Sequence, residues 1–468
     1  MNFIDNNSIR LINFKVGLAL ILLQVVWIDS VYAQSVTVSS NHRFFALSGK
    51  PFFWQGDTAW LLFKKATREE TISYLETRRK QGFNVAQVMI LHDLKDTKNV
   101  YGDEAVTGSD VSKPIITPGN SFADPKAYDF WDHVEWAIDE AAKRGIYMAL
   151  VPIWGSNVKS GLVSETQAAA YAEFLAKRFR SKPNIIWLNG GDIRGDDRIN
   201  IWNVLGKTLR EYDKNHLISF HPRGRTMSSE WFHNEDWLDF NMFQSGHRNY
   251  SQDNSPGEHH FGEDNWRYAL AEYNLKPVKP TLDGEPSYEN IPQGLHDPKQ
   301  PRWTDADVRR YAYWSIFAGG AGFTYGENSV IQFYKKGDTD AAYGAEIDWR
   351  ESINAAGANQ MRFMKKLMLS KPYFERVPAS ELVADQGERY NYIAATRGVN
   401  YAFLYTYTGR EFKVNMDKLP GHVLKSSWYN PRTGERVAKG KTANIGVRSF
   451  NPPGEEKAGN DWVLVLER

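Results

Sequence analysis

Two carboxylates stand out in the sequence because glycines precede each of them and each follows a short apolar run. Asp192 follows Asn189-Gly190-Gly191, and Glu285 follows Asp283-Gly284. Glycine leaves the neighbouring backbone open to a ligand. Hydrolysis of a glycosidic bond needs two carboxyl groups, one to protonate the leaving oxygen and one to attack the sugar or activate water. We therefore predict that Asp192 and Glu285 are catalytic, against the alternatives that Asp192 caps the next helix and that Glu285 pairs with Arg223.

The elements that would position these carboxylates alternate between short apolar runs and amphipathic stretches, a pattern typical of repeated βα units. Eight runs predict strands at residues 52–54, 85–90, 147–152, 185–188, 217–220, 240–243, 280–282 and 322–325. Eight strands with intervening helices in about 280 residues indicate an α/β fold of the (β/α)8 TIM-barrel type. Such barrels carry their chemistry at the C-terminal ends of the strands.

Polar and aromatic side chains in or just after these runs are candidates for binding a substrate. The predicted substrate-binding residues are Asp57, Trp60, His92, Trp154, Asn189, His221, Gln244 and Tyr325. Aromatic rings offer flat apolar faces to sugars, and the polar groups would bond to hydroxyls. The alternatives are an inter-strand hydrogen bond for Asp57 and a satisfied core position for His92, His221 and Gln244.

Two segments contain residue types that bind metals but lack the spacing of known metal-binding motifs. His259-His260 followed by Glu263-Asp264 matches no helical two-histidine motif, which favours a solvated loop. Residues 192–197 miss the calcium-loop template because Arg194 occupies a ligand position. The chain has no Cys, which excludes disulfides, thiolate zinc sites and cysteine nucleophiles. No metal or cofactor is expected.

Charge and composition indicate that partners are chosen by a local site. Lys and Arg number 57 against 56 Asp and Glu, so no global field would hold the protein on nucleic acid or an anionic membrane. The 16 Trp, 23 Tyr and 25 Phe exceed what a core usually needs and are typical of sugar-binding clefts.

The N-terminus has the pattern of an export signal. Arg10 and Lys15 precede an apolar run over residues 16–28, and Val31-Tyr32-Ala33 places small residues, Val31 and Ala33, at the two positions that a signal peptidase reads. The run is shorter than the roughly 20 residues that cross a bilayer. We predict a signal peptide over residues 1–33 and a bacterial periplasmic or secreted protein with no membrane association after cleavage.

The remaining chain divides into two predicted domains. Residues 34–371 hold the barrel, with an added strand within residues 34–48. Residues 372–468 are rich in short β-type runs, which predict a small C-terminal β-sandwich.

The chain resembles the apiosidase-like catalytic domain of glycoside hydrolase family 140. The resemblance rests on residues 41–60, 71–88, Trp187 to Asp192 and Asp283 to Pro286. It implies a retaining hydrolase that cleaves apiose from galacturonic acid in the plant cell-wall pectin rhamnogalacturonan II. In that family the acid/base is an Asp and the nucleophile a Glu, which map onto Asp192 and Glu285.

Two further points follow from the resemblance. Barrel glycosidases usually carry Asn directly before the acid/base, whereas Gly191 stands there in this chain and Asn189 is the nearest substitute. The C-terminal domain of the family carries a collagen-binding label, but we expect structural support and no collagen binding. The alternatives are a hydrolase of the same fold acting on another plant or host glycan, and a non-catalytic glycan-binding protein.

Overall fold

A small antiparallel sheet precedes the barrel and covers the end of the barrel where the parallel strands begin. In the computed structural model, which describes residues 35–468, this sheet contains β1 (Thr37–Val38), β2 (Phe45–Leu47) and β3 (Lys50–Phe52). The Phe45 ring lies 5.7 Å from Trp54 and 5.1 Å from Phe240, both at the starts of barrel strands. The predicted signal peptide, residues 1–33, lies outside the described residues.

Eight parallel strands form the barrel. They are β4 (Trp54–Thr58), β5 (Val85–Leu91), β6 (Tyr147–Ile153), β7 (Ile185–Ile193), β8 (Ile218–Pro222), β10 (Asn241–Gln244), β11 (Thr281–Asp283) and β12 (Gly322–Tyr325), with the short antiparallel β9 (Thr226–Met227) beside β10. The sheet order is β8-β7-β6-β5-β4-β12-β11-β10-β9. The gap between β8 and β10 is bridged because Asp239 N–H donates to Ile218 O at 2.9 Å and Ser219 Oγ donates to Phe240 O at 2.6 Å. The predicted (β/α)8 fold class is confirmed.

Helices surround the barrel and connect its strands. They are α1 (Leu62–Lys65), α2 (Arg68–Lys80), α3 (Phe130–Ala142), α4 (Gly155–Lys159), α5 (Glu165–Phe179), α6 (Ile199–Tyr212), α7 (Ser229–Phe232), α8 (Trp266–Tyr273), α9 (Asp305–Phe317), α10 (Asn328–Ile331), α11 (Trp349–Ser352) and α12 (Ala356–Leu369). The predicted capping box starts α2, because Thr67 accepts from Glu70 N–H and Glu70 accepts from Thr67 N–H. Within residues 35–468, no helix is both long and apolar enough to cross a membrane.

The C-terminal part consists of antiparallel strands. They are β13 (Val377–Pro378), β14 (Ile393–Arg397), β15 (Tyr401–Thr406), β16 (Phe412–Asn415), β17 (Val423–Tyr429), β18 (Arg436–Ala443), β19 (Val447–Phe450) and β20 (Trp462–Glu467). Six form one sheet, and β16 pairs with β19 in a second. The larger sheet packs on α9, where the Tyr313 and Tyr405 rings stack at 4.7 Å. The barrel and this sheet therefore share one hydrophobic core.

Two barrel strands extend further than their apolar runs predict. The first strand was predicted at residues 52–54, but β4 covers Trp54–Thr58, because Gly56 and Asp57 pair with neighbouring strands on both sides. Strand β7 continues past Leu188 to Ile193. Polar residues at the ends of both runs thus lie inside strands, which decides where their side chains point.

Candidate active site

Asp192 lies in a bulge near the end of β7. Gly190 pairs with His221 of β8, and the register then shifts so that Ile193 pairs with Pro222. The backbone is left-handed at three successive residues, with φ of +90° at Gly190, +97° at Gly191 and +49° at Asp192. Glycine adopts such angles without a steric penalty, and a bulge of this kind redirects the following side chain. The Gly-Gly pair therefore allows Asp192 to leave the plane of the strand.

Glu285 follows β11, where hydrogen bonds join the ends of β10 and β11. Ser245 Oγ donates to Asp283 Oδ2 at 2.6 Å, and Gly246 N–H donates to Glu285 O at 3.1 Å. These bonds fix His247, whose Nε2 lies 2.9 Å from Glu285 Oε1. The Glu285 side chain is therefore held from the neighbouring strand.

His221 of β8 lies between the two carboxylate residues. The backbone N–H of Asp192 donates to His221 Nδ1 at 3.3 Å, so we assign the ring proton to Nε2. His221 Nε2 lies 3.2 Å from Glu285 Oε2. One imidazole thus contacts both residues.

The two carboxyl groups have opposite pKa shifts. The Asp192 side chain is exposed to the cleft, although nearby protein displaces much of the water around it. This desolvation and the negative charge of Glu285 raise the pKa of Asp192 to about 6. Burial also acts to raise the pKa of Glu285, but His221 and His247 outweigh it and lower that pKa to about 2. Near pH 5, Asp192 therefore holds a proton while Glu285 is ionised, which is the division that an acid and a nucleophile require.

Both carboxylates line a cleft of about 430 Å³ at the C-terminal end of the barrel. Two tryptophans form one side of it, with the Trp60 and Trp154 rings 5.3 Å apart. A methyl group built on Gly191 would lie 2.4 Å from Trp154 Cε3, so the Trp154 ring rests directly on the bulge. The cleft volume lies in the usual range for a small-molecule site.

The structure brings five of the eight predicted binding residues to this region. Trp60, His92, Trp154 and Gln244 line the cleft, and His221 is buried between the two carboxylate residues. His92 is exposed at its rim. These residues come from different strand ends, as the barrel rule predicts.

The other three residues are buried away from the cleft. Asp57 pairs with Arg78 of α2 at 2.7 Å, and the Tyr325 hydroxyl donates to Glu289 Oε2 at 2.6 Å. Along β7, Leu188 belongs to the core that includes the barrel interior and Trp187 to the core that includes the helices α3, α5 and α6, so alternation places Asn189 on the helix-facing side. Asp57 accepts hydrogen bonds from Tyr74 and Arg78 of α2, whereas its stated alternative was a hydrogen bond between strands.

The cleft also contains residues that are not among the predicted catalytic or binding residues. Among them are His247, Tyr343 and the three arginines Arg223, Arg225 and Arg248, of which Arg223 was named only as a possible partner of Glu285. Desolvation with the charges of Glu285 and Asp192 raises the pKa of Tyr343 to about 12. Arg223 and His247 follow predicted strands, so the strand-end rule could have found them, whereas no local signal marks Tyr343.

Residues of the histidine-rich segment after β10 pair with different partners and do not converge on one point. His259 Nε2 lies 3.1 Å from Glu230 Oε1, and Glu263 Oε2 lies 2.6 Å from Arg310 Nη2. Among residues 35–468, no group of three or more His, Asp or Glu side chains is arranged to hold a metal ion.

Comparisons with known proteins agree with this architecture. A family model described as "Apiosidase-like, catalytic domain" matches residues 39–375, and one described as "Putative collagen-binding domain of a collagenase" matches residues 377–467. A solved structure named "Glycoside hydrolase" is 44% identical with a TM-score of 0.86, over 93% of this chain and 97% of the other. A family 5 glycoside hydrolase from Bacteroides vulgatus ATCC 8482 is 43% identical with a TM-score of 0.86, over 92% of this chain and 93% of the other. No curated protein matches. With a catalytic-domain match over most of its length and two such relatives, the chain belongs to the apiosidase-like family and is a glycoside hydrolase.

Proposed function

We propose that the protein is a retaining glycoside hydrolase in which Glu285 is the nucleophile and Asp192 the acid/base. Glu285 attacks the anomeric carbon while Asp192 protonates the leaving oxygen, which yields a glycosyl ester on Glu285 and the free leaving sugar. Asp192 then takes a proton from water, and that water displaces Glu285 from the sugar.

The observation that carries this proposal is that Asp192 and Glu285, which line the same cleft, have pKa values shifted in opposite directions. His221 and His247 stabilise the ionised form of Glu285, and its negative charge in turn favours the protonated form of Asp192. Retaining and inverting glycosidases both need these two states at once, but they differ in the distance between the carboxyl groups, and the mechanism proposed here is the retaining one. This mechanism predicts a carboxyl separation of roughly 5–5.5 Å, whereas an inverting enzyme leaves room for water at roughly 6.5–9.5 Å.

For the substrate, we propose an apiosyl linkage to galacturonic acid in rhamnogalacturonan II. The proposal draws on the match to the apiosidase-like catalytic domain. Polar and aromatic groups around the carboxylates, including Trp60 and Trp154, are suited to a sugar ring and its hydroxyls. Tyr343 adds a phenol close to both carboxylates.

Incubation with rhamnogalacturonan II and a panel of pectic oligosaccharides tests the proposal. Mature wild-type protein should release apiose-ended fragments, detected by mass spectrometry, and Glu285→Ala and Asp192→Ala should release none. Asp340→Asn is the matched control, because Asp340 also lines the cleft but pairs with Lys65 at 2.8 Å. Turnover on another glycan by the wild type would retain the mechanism and reject the substrate. Turnover by Glu285→Ala equal to wild type would reject the nucleophile.

The compartment is a separate proposal. Export with cleavage after Ala33 would place the enzyme in the periplasm or outside the cell, where plant glycans arrive. N-terminal sequencing of protein from the native host should then begin at Gln34, and a protein that begins at Met1 would contradict export by cleavage.

A further inference from the structure

Three arginines meet in the cleft around one buried carboxylate. Arg223 Nη2 lies 3.3 Å from Glu258 Oε1, Arg248 Nη1 lies 3.9 Å from Glu258 Oε2, and the Arg225 guanidinium contacts Glu258 Oε2 directly. All four residues line the cleft. Arg223 and Arg225 follow β8, whereas Arg248 and Glu258 come from the loop after β10, so two segments of the chain build this arginine cluster.

The arginine cluster holds more positive than negative charge. Besides Glu258, the second carboxylate in reach is Asp253, whose Oδ1 lies 3.6 Å from Arg225 Nε. Three guanidinium groups therefore face two carboxylates. Burial and the nearby charges of Arg248 and Arg223 lower the pKa of Arg225. The side chains of Arg223 and Arg248 remain 45% and 31% exposed, so their guanidinium groups can reach a ligand in the cleft.

The Arg223 end of the arginine cluster lies on the Asp192 side of the cleft. Gly224, between Arg223 and Arg225, donates its N–H to Asp192 Oδ1 at 3.4 Å. Arg223 N–H donates to Ile193 O at 3.0 Å, which fixes this segment to the bulge. The acid of a glycosidase stands beside the leaving oxygen, so groups that flank Asp192 face the leaving sugar.

From this geometry we infer that Arg223 and Arg248 form a subsite for the carboxylate of an acidic sugar on the leaving-group side. Guanidinium groups bind carboxylates with two parallel hydrogen bonds, and Arg is the residue that best matches this planar geometry. The inference rests on the proposed function, since it requires Asp192 to be the acid. It assigns recognition of a uronic acid to named residues that are separate from the catalytic pair.

The test compares an acidic substrate with a neutral form of the same molecule. The substrates are an apiosyl-galacturonic acid oligosaccharide and its carboxyl-reduced derivative, and kcat/KM is measured for each. Arg223→Gln should lower kcat/KM on the acid by about 10- to 100-fold, as expected for loss of a charge-assisted contact, and leave the neutral substrate within about twofold. Arg223→Gln/Arg248→Gln should abolish the preference for the acid.

Lys64→Gln is the matched control, because Lys64 is a cation that lines the same cleft but pairs with Asp96 at 2.7 Å. It should leave the ratio of the two kcat/KM values unchanged. Equal losses on both substrates in Arg223→Gln would mean a structural role for Arg223 and would overturn the inference. A shift of the ratio in Lys64→Gln equal to that in Arg223→Gln would overturn it too, because the effect would then be one of general cleft charge.

A binding measurement separates this inference from the proposed function. Isothermal titration calorimetry with free galacturonic acid and with its methyl ester requires no turnover. Tighter binding of the acid by wild type, lost in Arg223→Gln, would support the subsite even if no pectic substrate is cleaved. Equal binding of acid and ester by wild type would reject the subsite even if hydrolysis is observed.

Discussion

Replacing Gly191 with Ala should damage both stability and catalysis, because this residue has an unusual backbone angle and a close neighbour. The angle φ is +97°, and an added methyl group would lie 2.4 Å from Trp154 Cε3, about 1 Å closer than an ordinary contact of 3.4 Å. A left-handed non-glycine residue costs roughly 1–2 kcal/mol. Overpacking of a well-packed site costs about 1–3 kcal/mol more. The free energy of unfolding should therefore fall by about 2–5 kcal/mol.

The catalytic effect follows from the position of Asp192 directly after Gly191. Relief of the clash requires the Trp154 ring or the bulge to move by about 1 Å, and a misplacement of that size at a reacting group costs about 10²-fold in rate. We expect kcat of Gly191→Ala to fall by about this factor. Equilibrium urea unfolding measures the first effect, and steady-state hydrolysis of a pectic oligosaccharide the second.

Gly102→Ala is the matched control. Gly102 has φ of +89°, but an added methyl group would meet no heavy atom within 4 Å. It should lose only the backbone part, roughly 1–2 kcal/mol, and keep wild-type kcat. If Gly191→Ala is no less stable than Gly102→Ala and turns over at the wild-type rate, the bulge does not position Asp192 in the way argued here.

Three further predictions concern the pair and the C-terminal sheet. Above pH 6 the wild-type kcat/KM should fall about tenfold per pH unit, because Asp192 loses its proton. In His247→Asn the acidic limb of the pH profile should move to higher pH, because a hydrogen bond that keeps Glu285 ionised is lost. With azide and an activated substrate, Glu285→Ala should give a glycosyl azide of inverted configuration by NMR, and the retained anomer would contradict the nucleophile assignment. Arg309→Met should lower the free energy of unfolding by about 3–5 kcal/mol, since Asp461, 2.9 Å from Arg309 Nε, would stay buried without its main partner.

Much of the barrel follows from local sequence. Apolar runs mark all eight strands, and the rule that chemistry lies at strand ends leads to Asp192 and Glu285 beside glycines. The Gly-Gly pair before Asp192 proves to be a left-handed bulge with a close ring contact, which explains why a side chain is absent there.

Local sequence does not reveal where each strand ends or which of its side chains face the cleft. The strand-end rule predicts that Asp57 and Asn189 face the cleft, but β4 and β7 continue through them. Side chains alternate along a strand, so continuation by a few residues decides whether a polar group faces the cleft or the helices. In β4 this extension is specified by pairing with β5 and β12, which is tertiary information.

The arginine cluster was missed for a different reason. Arg248 and Glu258 lie in a long loop, ten residues apart, and meet Arg223 only when the loop folds over the cleft. Loop residues have no periodicity from which to infer direction. Charge in such a loop becomes interpretable only when its partners are known.

Helix α9 has no face that is free to meet water. Every residue from Val308 to Phe317 is buried, because the barrel covers one side of the helix and the C-terminal sheet the other, where Arg309 pairs with Asp461. The turn before β14 also contacts the loop after β10, since the Tyr390 hydroxyl donates to Glu263 Oε1 at 2.9 Å. Replacing the C-terminal sheet with that of a relative would therefore succeed only if the residues of α9 that contact the sheet were replaced at the same time. For engineering, the catalytic barrel and the C-terminal sheet therefore form one unit, because residues of both belong to the same hydrophobic core.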